Sequence, residues 1–398
     1  MHNKKNLNNR EKPSEANYFS VVSNRYKTAS RAIYILLVVV FAATLLFNSK
    51  LLTYTNFNYL LRDLSSAAEA ASDNYSSISY TNDETRVVKS YRGGIITASS
   101  TNMAIYTATG RKTLYLNESF SSPEIVTSKK YAIIYDLGGN KYSVYNSFAK
   151  VGSEIINYPI SMVSVADNGW FAVVSKDAEH NSVIYLYDDD LKLKSTYSFS
   201  SSYVFDVDIN SKTGKIAIVK SKTDLDKFST SLMICELGKT ESLFDITVSS
   251  GVTYGGSFLS NGKFQLVCTD GYYMINENNG TVVKNYSFEG LNSNRISLSP
   301  EGCAISLKNN GVSVNNKILV FDKKGELVYN TNINDSIMDM EYYNGYVFVY
   351  QNNLISKIDI KDNKITTEKI SENGTDIIIY DNNNILLCCE TKAKYLKI

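Results

Sequence analysis

Two hydrophobic patterns divide the chain: one long apolar run near the N-terminus and many short runs after it. The long run AIYILLVVVFAATLLFNS, residues 32–49, carries no charge and lies between Arg31 and Lys50. At about 1.5 Å per residue, it covers most of a hydrocarbon core roughly 30 Å thick. The pattern predicts a single transmembrane helix over residues 32–52.

The charges that flank this run predict its orientation. Basic residues are frequent before it, whereas Arg62 is the only one between residues 51 and 71. By the positive-inside rule, residues 1–31 form a cytoplasmic tail and the chain after the span lies outside the cell membrane. A cleaved signal peptide is the alternative, but the polar leader is long and no small-x-small site follows the apolar core closely. We therefore expect an uncleaved, single-pass anchor.

Residues 53–85 predict a linker between the span and a folded domain. Their first part has leucine and tyrosine residues in helical phase, and their second part, SDNYSSISYTNDET, is polar and rich in turn formers. We expect a stalk that holds the domain away from the bilayer. A helix lying along the membrane surface is the alternative, with little positive charge to favour it.

From residue 86 to 398 the chain repeats a pattern of four strands. The clearest copy begins at Ile160 and reads ISMVSVADNG, WFAVVSKDAE, SVIYLYDDDL and KLKSTYSFS. The repeats begin near Arg86, Pro123, Ile160, Val204, Val252, Arg295, Ile337 and Thr375. A period of about 40 residues with four strands is typical of a propeller blade.

The fold prediction is therefore an all-β propeller over residues 86–398 with eight four-stranded blades, and seven blades as the alternative. The last unit, from Thr375, ends before its fourth strand, so we expect another part of the chain to supply that strand and close the ring. Turn residues such as Gly169 and Asn363 suit hairpins that need a left-handed residue.

Composition agrees with strands and narrows the possible partners. The chain has 30 Tyr and only 4 Pro, and its 41 Lys and Arg balance 40 Asp and Glu. The summed charge therefore gives no reason to expect a nucleic acid partner. Five cysteines lie in apolar, strand-like runs, which predicts buried thiols, with one disulfide between strands as the alternative. They are Cys235, Cys268, Cys303, Cys388 and Cys389.

Catalytic and metal-binding motifs are scarce. The two histidines are His2, in the predicted tail, and His180, in a loop between strands. The sequence has no nucleophile elbow, H-E-x-x-H pair, phosphate-binding loop or C-x-x-C pair, so we expect no catalytic residue, no metal and no cofactor. The acidic run at residues 188–190 lacks the spacing of a calcium loop and predicts a polar hairpin turn.

Two pairs of carboxylates on predicted inner strands are the exception. Asp206 and Asp208, and likewise Asp339 and Glu341, are two residues apart in the chain. This spacing places each pair on one strand face about 7 Å apart, a separation that glycoside hydrolases use. Because inner strands line a propeller channel, we favour a structural role in which these groups contact water or pair with Arg or Lys.

Three variable loops between second and third strands, residues 176–181, 221–230 and 309–316, predict a binding face. Such loops surround the channel mouth on one face of a propeller, and loops on a rigid scaffold commonly carry binding residues. The candidate side chains, which suit a peptide or a sugar, are Glu179, His180, Asp224, Asp226, Lys227 and Phe228.

The units SVIYLYDDDLKLKST and KILVFDKKGELVYN resemble the repeats of PQQ-type and WD40-like propellers, in which a strand ends in Asp, turns through Gly and resumes polar. In place of the tryptophan usual in PQQ-type blades, this chain has Tyr115, Tyr197, Phe244, Tyr286 and Tyr329. The whole layout is similar to an uncharacterised family of membrane-anchored propellers of Gram-positive bacteria, a domain of unknown function. The resemblance implies the fold and the anchor, and it assigns no residue a role.

Together these features predict a membrane-tethered, extracytoplasmic propeller that is a non-catalytic binding or scaffolding module for a protein, a peptide or a cell-wall glycan. An enzyme that acts on polysaccharide through the channel carboxylates is the first alternative. A ligand sensor is the second, although its tail of residues 1–31 has no recognisable domain.

Overall fold

The computed structural model describes residues 15–47, 75–80, 87–224, 227–308 and 315–398. The chain divides into two compact units, Met1–Phe57 and Asn58–Ile398.

The first unit contains the helix α1, Glu15–Phe47. Its segment Val22–Thr44 has a mean hydropathy of 1.5, and among the described residues it alone is long and apolar enough to cross a membrane. The helix begins before the predicted span of residues 32–52, in the second half of the predicted tail, because residues 15–31 contain no proline or glycine to stop it. Residues 48–52 lie outside the described part of the chain.

The described residues of the second unit form eight four-stranded antiparallel sheets, which are the blades of a propeller. In blades 1 to 7 the strands follow one another in sequence, outward from an inner strand. Blades 1 to 4 consist of Val87–Tyr91, Gly94–Ala98, Asn102–Tyr106 and Lys112–Asn117; Pro123–Thr127, Ala132–Asp136, Lys141–Tyr145 and Lys150–Ile155; Met162–Val165, Phe171–Ser175, Ser182–Tyr187 and Leu193–Phe199; and Tyr203–Asn210, Lys215–Asp224, Lys227–Glu236 and Ser242–Ser249.

The other four blades complete the ring. Blades 5 to 7 consist of Thr253–Phe258, Lys263–Cys268, Gly271–Asn276 and Val282–Ser287; Asn292–Ser299, Gly302–Lys308, Asn316–Asp322 and Leu327–Ile333; and Ile337–Tyr343, Tyr346–Gln351, Leu354–Asp359 and Lys364–Lys369. Blade 8 consists of Asp376–Ile379, Asn384–Cys388, Lys392–Lys397 and the N-terminal strand Ile78–Ser79. The prediction of eight blades is confirmed, and the turn residues Gly169 and Asn363 have φ values of 96° and 50°.

The hydrophobic core lies between the blades. Each pair of neighbouring blades encloses its own cluster of buried side chains, and the described residues form eight such clusters around the ring. Between blades 3 and 4, for example, Val174 and Leu186 pack against Val207 and Ile218. Second strands are therefore apolar on both faces, because each face meets a neighbouring blade.

The ring is closed by residues from the predicted linker. Ile78 pairs with Ala393 and Ser79 with Lys392, so the missing outer strand of blade 8 comes from the N-terminal side of the propeller. Tyr75 stacks on Tyr380 with ring centroids 5.0 Å apart. The predicted linker of residues 53–85 thus contains part of the propeller, which begins before residue 86.

Candidate binding face and channel

Asp206 and Asp208 join the inner strands of blades 4 and 5. Asp206 Oδ2 accepts a hydrogen bond from Gly256 N at 2.7 Å, and Asp208 Oδ2 accepts one from Phe258 N at 2.8 Å. The other oxygen of each carboxylate accepts from the following N–H of its own strand at 2.9 Å. An inner strand is an edge strand whose channel-side N–H groups have no partner in the sheet, and these carboxylates satisfy them.

Asp339 and Glu341 act in the same way in blades 6 to 8. Asp339 Oδ2 accepts from Ile377 N of blade 8 at 2.8 Å. The hydroxyl of Ser297, in blade 6, donates to Glu341 Oε2 at 2.7 Å and accepts from Tyr342 N at 2.8 Å. The sequence predicted water, Arg or Lys as the partners of these carboxylates. The described hydrogen-bond partners are instead backbone N–H groups of the same strand and of neighbouring blades, and one serine hydroxyl.

The protein that encloses these carboxylates shifts their titration. Burial raises the pKa of Asp206 to about 6, and the negative charge of Asp208 adds to the shift. Burial raises the pKa of Glu341 to about 7, against the hydrogen bond from Ser297. Burial also raises the pKa of Asp208 and of Asp339. Removal from water, rather than an arrangement for proton transfer, is the main cause of each shift.

The inner strands of blades 7, 8 and 1 line a cavity of about 310 Å³ in the channel. Asp339, Glu341, Asp376 and Lys89 contribute its charged groups. The side chains of Asp376 and Lys89 are exposed, and neither makes a hydrogen bond or ion pair with another described side chain. Among the described residues, no group of three or more His, Cys, Asp or Glu side chains is placed to hold a metal ion.

The predicted loop residue His180 is fixed in a tight turn. Asp177 Oδ1 accepts from the N–H groups of Glu179 at 2.8 Å and His180 at 2.7 Å. His180 Nδ1 lies 2.9 Å from Asp177 Oδ2, and this contact holds the pKa of Asp177 below its usual range. His180 therefore stabilises the turn, while Glu179 is exposed.

The prediction of a loop over residues 221–230 is wrong for its described residues, which pair as strands. Residues 221–224 and 227–230 continue the second and third strands of blade 4 as a paired extension, with Asp224 opposite Lys227. Phe228 is half-buried and lines a groove between blades 4 and 5 with Val248 and Tyr273. Asp226 lies outside the described residues, and the structure describes only the backbone of Asp224 and Lys227.

Most of the third predicted loop, residues 309–314, is also outside the described residues. Asn316, at its end, is a buried strand residue whose Nδ2 donates to Asp335 O at 2.6 Å. All three predicted segments join second to third strands, so topology places them on one face. Of the candidates described there, His180 follows the second strand of blade 3, and Phe228 lies in the third strand of blade 4.

One set of surface residues on this face was not predicted from the sequence. The inner strands of blades 4 to 7 each contain a β-bulge at the same position, and its extra residue has no partner on the second strand. We call these residues the bulge arc: Phe205, Tyr254, Asn294 and Met338. Phe205 is 46% exposed, and Tyr254 and Met338 are each 44% exposed. Bulges re-aim side chains next to functional sites.

The bulge arc lies where inner strands begin, at one mouth of the channel. The exposed Arg295 joins two of its members, since Nε donates to Met338 O at 2.8 Å and Nη1 to Asn294 O at 3.2 Å. Tyr203, the first residue of the inner strand of blade 4, is 56% exposed. Exposed apolar side chains and a guanidinium group therefore lie around this mouth, which makes it the candidate binding surface.

These features define the class of protein: a closed eight-bladed propeller whose inner carboxylates hold the blades together and whose channel mouth displays apolar side chains. The chain matches DUF5711, a family of unknown function, over residues 69–398, and it belongs to that family. No curated protein sequence matches the chain.

Solved propellers share this fold at low sequence identity. BamB from Moraxella catarrhalis is 11% identical with a TM-score of 0.56, covering 82% of this chain and 99% of its own. Sqt1 from Chaetomium thermophilum, solved bound to the N-terminus of ribosomal protein L10, is 10% identical with a TM-score of 0.58, covering 82% and 100%. The computationally designed Ika8 protein is 11% identical with a TM-score of 0.63, covering 81% and 100%. These similarities concern the fold alone.

Proposed function

We propose that this protein is a non-catalytic binding or scaffold module, held at the cell membrane by α1, with its propeller outside the cell and a protein or peptide partner docked at the channel mouth. The bulge arc carries the proposal, because it keeps three large apolar side chains exposed to solvent around one mouth of the channel. Clustered apolar side chains with a polar rim are typical of interaction sites. A propeller neighbour solved with a bound protein segment, Sqt1 with L10, supports the same use of the fold.

An enzyme that uses the channel carboxylates is the weaker candidate. Asp206, Asp208 and Asp339 each accept backbone hydrogen bonds through both oxygens. A general acid or base has to exchange a proton with its substrate, and these groups are instead committed to the contacts between blades. The predicted cell-wall glycan remains the other partner class that the test below separates from a protein.

Site-specific photo-crosslinking in the intact membrane of the native host tests the binding module. Benzoylphenylalanine replaces Phe205 in the bulge arc, or Leu243 on the outer strand of blade 4 as the control, since Leu243 is 44% exposed. We expect a discrete protein adduct from position 205 and none from position 243. Adducts at neither position, or equal adducts at both, would contradict the proposal, and recovery of wall glycan alone would replace protein by glycan as the partner.

Membrane topology has its own test. Basic residues are frequent before the apolar run and Lys50 and Arg62 are the only ones in residues 50–71, so protease added to intact protoplasts is expected to remove the propeller and leave the tail. Full protection of the propeller would place it in the cytoplasm. That result would overturn the proposed location and leave the docking surface unaffected.

A further inference from the structure

The bulge arc is apolar, whereas the channel behind it is acidic, and the two together specify a partner. We infer that the docked segment is a polypeptide that carries both an apolar side chain and a lysine or arginine, the first for the bulge arc and the second for the channel. This inference rests on the proposed binding function and names the chemistry of its partner.

The apolar half of the site spans neighbouring blades. Phe205 and Tyr254 come from blades 4 and 5, and the exposed Tyr203 and Val252 lie two residues before them in the chain. Because equivalent positions of adjacent inner strands lie side by side around the mouth, we expect these four side chains to lie close together. Aromatic side chains of this kind are common anchors in interfaces.

The acidic half consists of carboxylates on the inner strands of blades 4, 7 and 8, one residue beyond the position of the bulge. The residues directly after the bulges in blades 4 and 7 are Asp206 and Asp339, and their counterpart in blade 8 is Asp376. With Asp208 and Glu341, the inner strands place five carboxylates here. The only cationic side chains at the corresponding described positions are Lys89 and Arg295. The pKa of about 7 leaves Glu341 partly protonated at neutral pH, but the other four carboxylates still outnumber the two cations, so the channel attracts a cationic side chain.

Asp376 is the carboxylate left available for a ligand. Asp206 and Asp339 accept N–H groups of the next blade, but no described group donates to the exposed Asp376 carboxylate. It opens into the cavity of about 310 Å³ with Lys89. Arg295 does not neutralise it, since that guanidinium donates to the carbonyl oxygens of Met338 and Asn294. An incoming lysine or arginine therefore has a partner that is already exposed to the channel.

An acidic segment does not fit this site, because it would bring a further negative charge toward Asp339, Glu341 and Asp376 in a partly enclosed space. A purely apolar segment would cover the bulge arc and leave the channel charges unmatched. Charge complementarity therefore selects a basic occupant, and the exposed apolar side chains select one with an apolar anchor.

Selection from a random displayed-peptide library on the full-length protein, held in nanodiscs, tests the inference. The test variants are Phe205→Ser combined with Tyr254→Ser, and Asp376→Asn. Their matched controls are Leu243→Ser combined with Ile365→Ser, which removes similarly exposed side chains from outer strands, and Glu368→Gln, which removes an exposed charge from blade 7. All these positions are on the surface, so thermal unfolding of each variant is expected to match the wild type.

We expect wild-type protein to enrich peptides that contain both a large apolar residue and a lysine or arginine. The bulge-arc variant should weaken a selected peptide roughly tenfold, and Asp376→Asn should remove the preference for a basic residue while the apolar preference remains. The controls should bind as the wild type does. Enrichment of acidic peptides, no enrichment at all, or equal losses in the controls would overturn the inference. A partner crosslinked at position 205 through an acidic segment would overturn it while the binding function stands.

Discussion

Replacement of Glu118 by glutamine tests how the first two blades are held together. The Glu118 side chain is 8% exposed and lies between the outer strand of blade 1 and the inner strand of blade 2. Its Oε1 lies 2.8 Å from Lys150 Nζ and 2.9 Å from Lys141 Nζ. The hydroxyls of Ser143 and Tyr145 donate to the same carboxylate at 2.7 and 2.5 Å. All four partners belong to blade 2, so one carboxylate fixes the connection to that blade.

The lowered pKa of Glu118 gives the size of its contribution to the stability of the fold. Burial opposes ionisation, but the four donors outweigh it and lower the pKa from 4.5 to about 2. At about 1.4 kcal/mol per pKa unit, the ionised side chain contributes about 3 kcal/mol to stability at neutral pH. Glutamine has nearly the same shape and no charge, so Glu118→Gln should cost about 2 to 3 kcal/mol. In a domain of this size, that loss lowers the unfolding midpoint by about 5 °C.

Calorimetry at neutral pH measures the shift, with Glu326→Gln as the control. Glu326 Oε1 lies 2.8 Å from Lys284 Nζ, but both side chains are about half exposed. An exposed pair of this kind contributes less than about 1 kcal/mol, so the control midpoint should barely move. Equal shifts in the two variants would refute the argument from burial and charge.

The pH dependence of Glu118 is the second check. Because its folded pKa is lowered, its contribution is present above the unfolded value of 4.5 and is lost as the pH falls through about 2. The unfolding midpoints of the wild type and Glu118→Gln should therefore converge in acid. A difference that is the same at about pH 3 as at about pH 7 would mean that packing, not charge, sets the effect.

Three further outcomes follow from the same structure. Ile78→Ala should lower the free energy of unfolding by about 2 to 4 kcal/mol, because Ile78 is buried in the strand that closes the ring. Ser79→Ala, on the exposed side of the same strand, should change the calorimetric midpoint little. Asp206 and Glu341 have folded pKa values raised to about 6 and 7, so their ionisation opposes folding, and the midpoint should rise as the pH is lowered from about 8 to about 5; a midpoint that falls over this range would contradict the assigned burial. A maleimide should label the partly exposed Cys389 in the folded protein, while the other four thiols, which are free and buried, should need denaturant, as mass spectrometry can show.

Local signals made the blades predictable from the sequence. The second strand of blade 3, Phe171–Ser175, is buried throughout, and its apolar run could be recognised without knowing its neighbours. Gly169, in the turn before it, has the positive φ that such a tight turn requires. The first seven repeats carry similar signals, whereas the eighth lacks its outer strand, and for that reason seven blades remained the alternative.

The closing strand gave no such signal. Ile78–Ser79 is too short for a periodic pattern, and its partners Ala393 and Lys392 lie at the other end of the chain. Its polar surroundings resemble a linker, so residues 75–80 were assigned to the stalk. The expectation that a distant segment closes the ring was confirmed, but only the pairing identified that segment.

The partners of the channel carboxylates could not be predicted either. The donors are backbone N–H groups such as those of Gly256 and Ile377, which almost any residue supplies. The sequence therefore suggested Arg or Lys as the hydrogen-bond partners, and the contacts with the backbone of the next blade were not predicted. The extended strands of blade 4 were not predicted for a related reason: residues 222–229 have the polar composition of a loop, although the described residues 222–224 and 227–229 pair as strands.

The β-bulges account for both the carboxylate contacts and the exposed side chains of the bulge arc, and the sequence contains a signal for them. Val204 and Val207 are both buried although they are three residues apart, and so are Ile337 and Met340, which breaks the alternation expected of a regular strand. The extra residue restores the phase, so that the next side chain, an Asp in blades 4 and 7, reaches an N–H of the following blade, while the extra residue itself faces solvent. Each bulge in blades 4 and 7 thus provides a carboxylate that contacts the next blade and an exposed side chain that takes no part in that contact. For this reason, substitutions at Phe205 should change binding without unfolding the protein, whereas substitutions at Asp206 should change stability first.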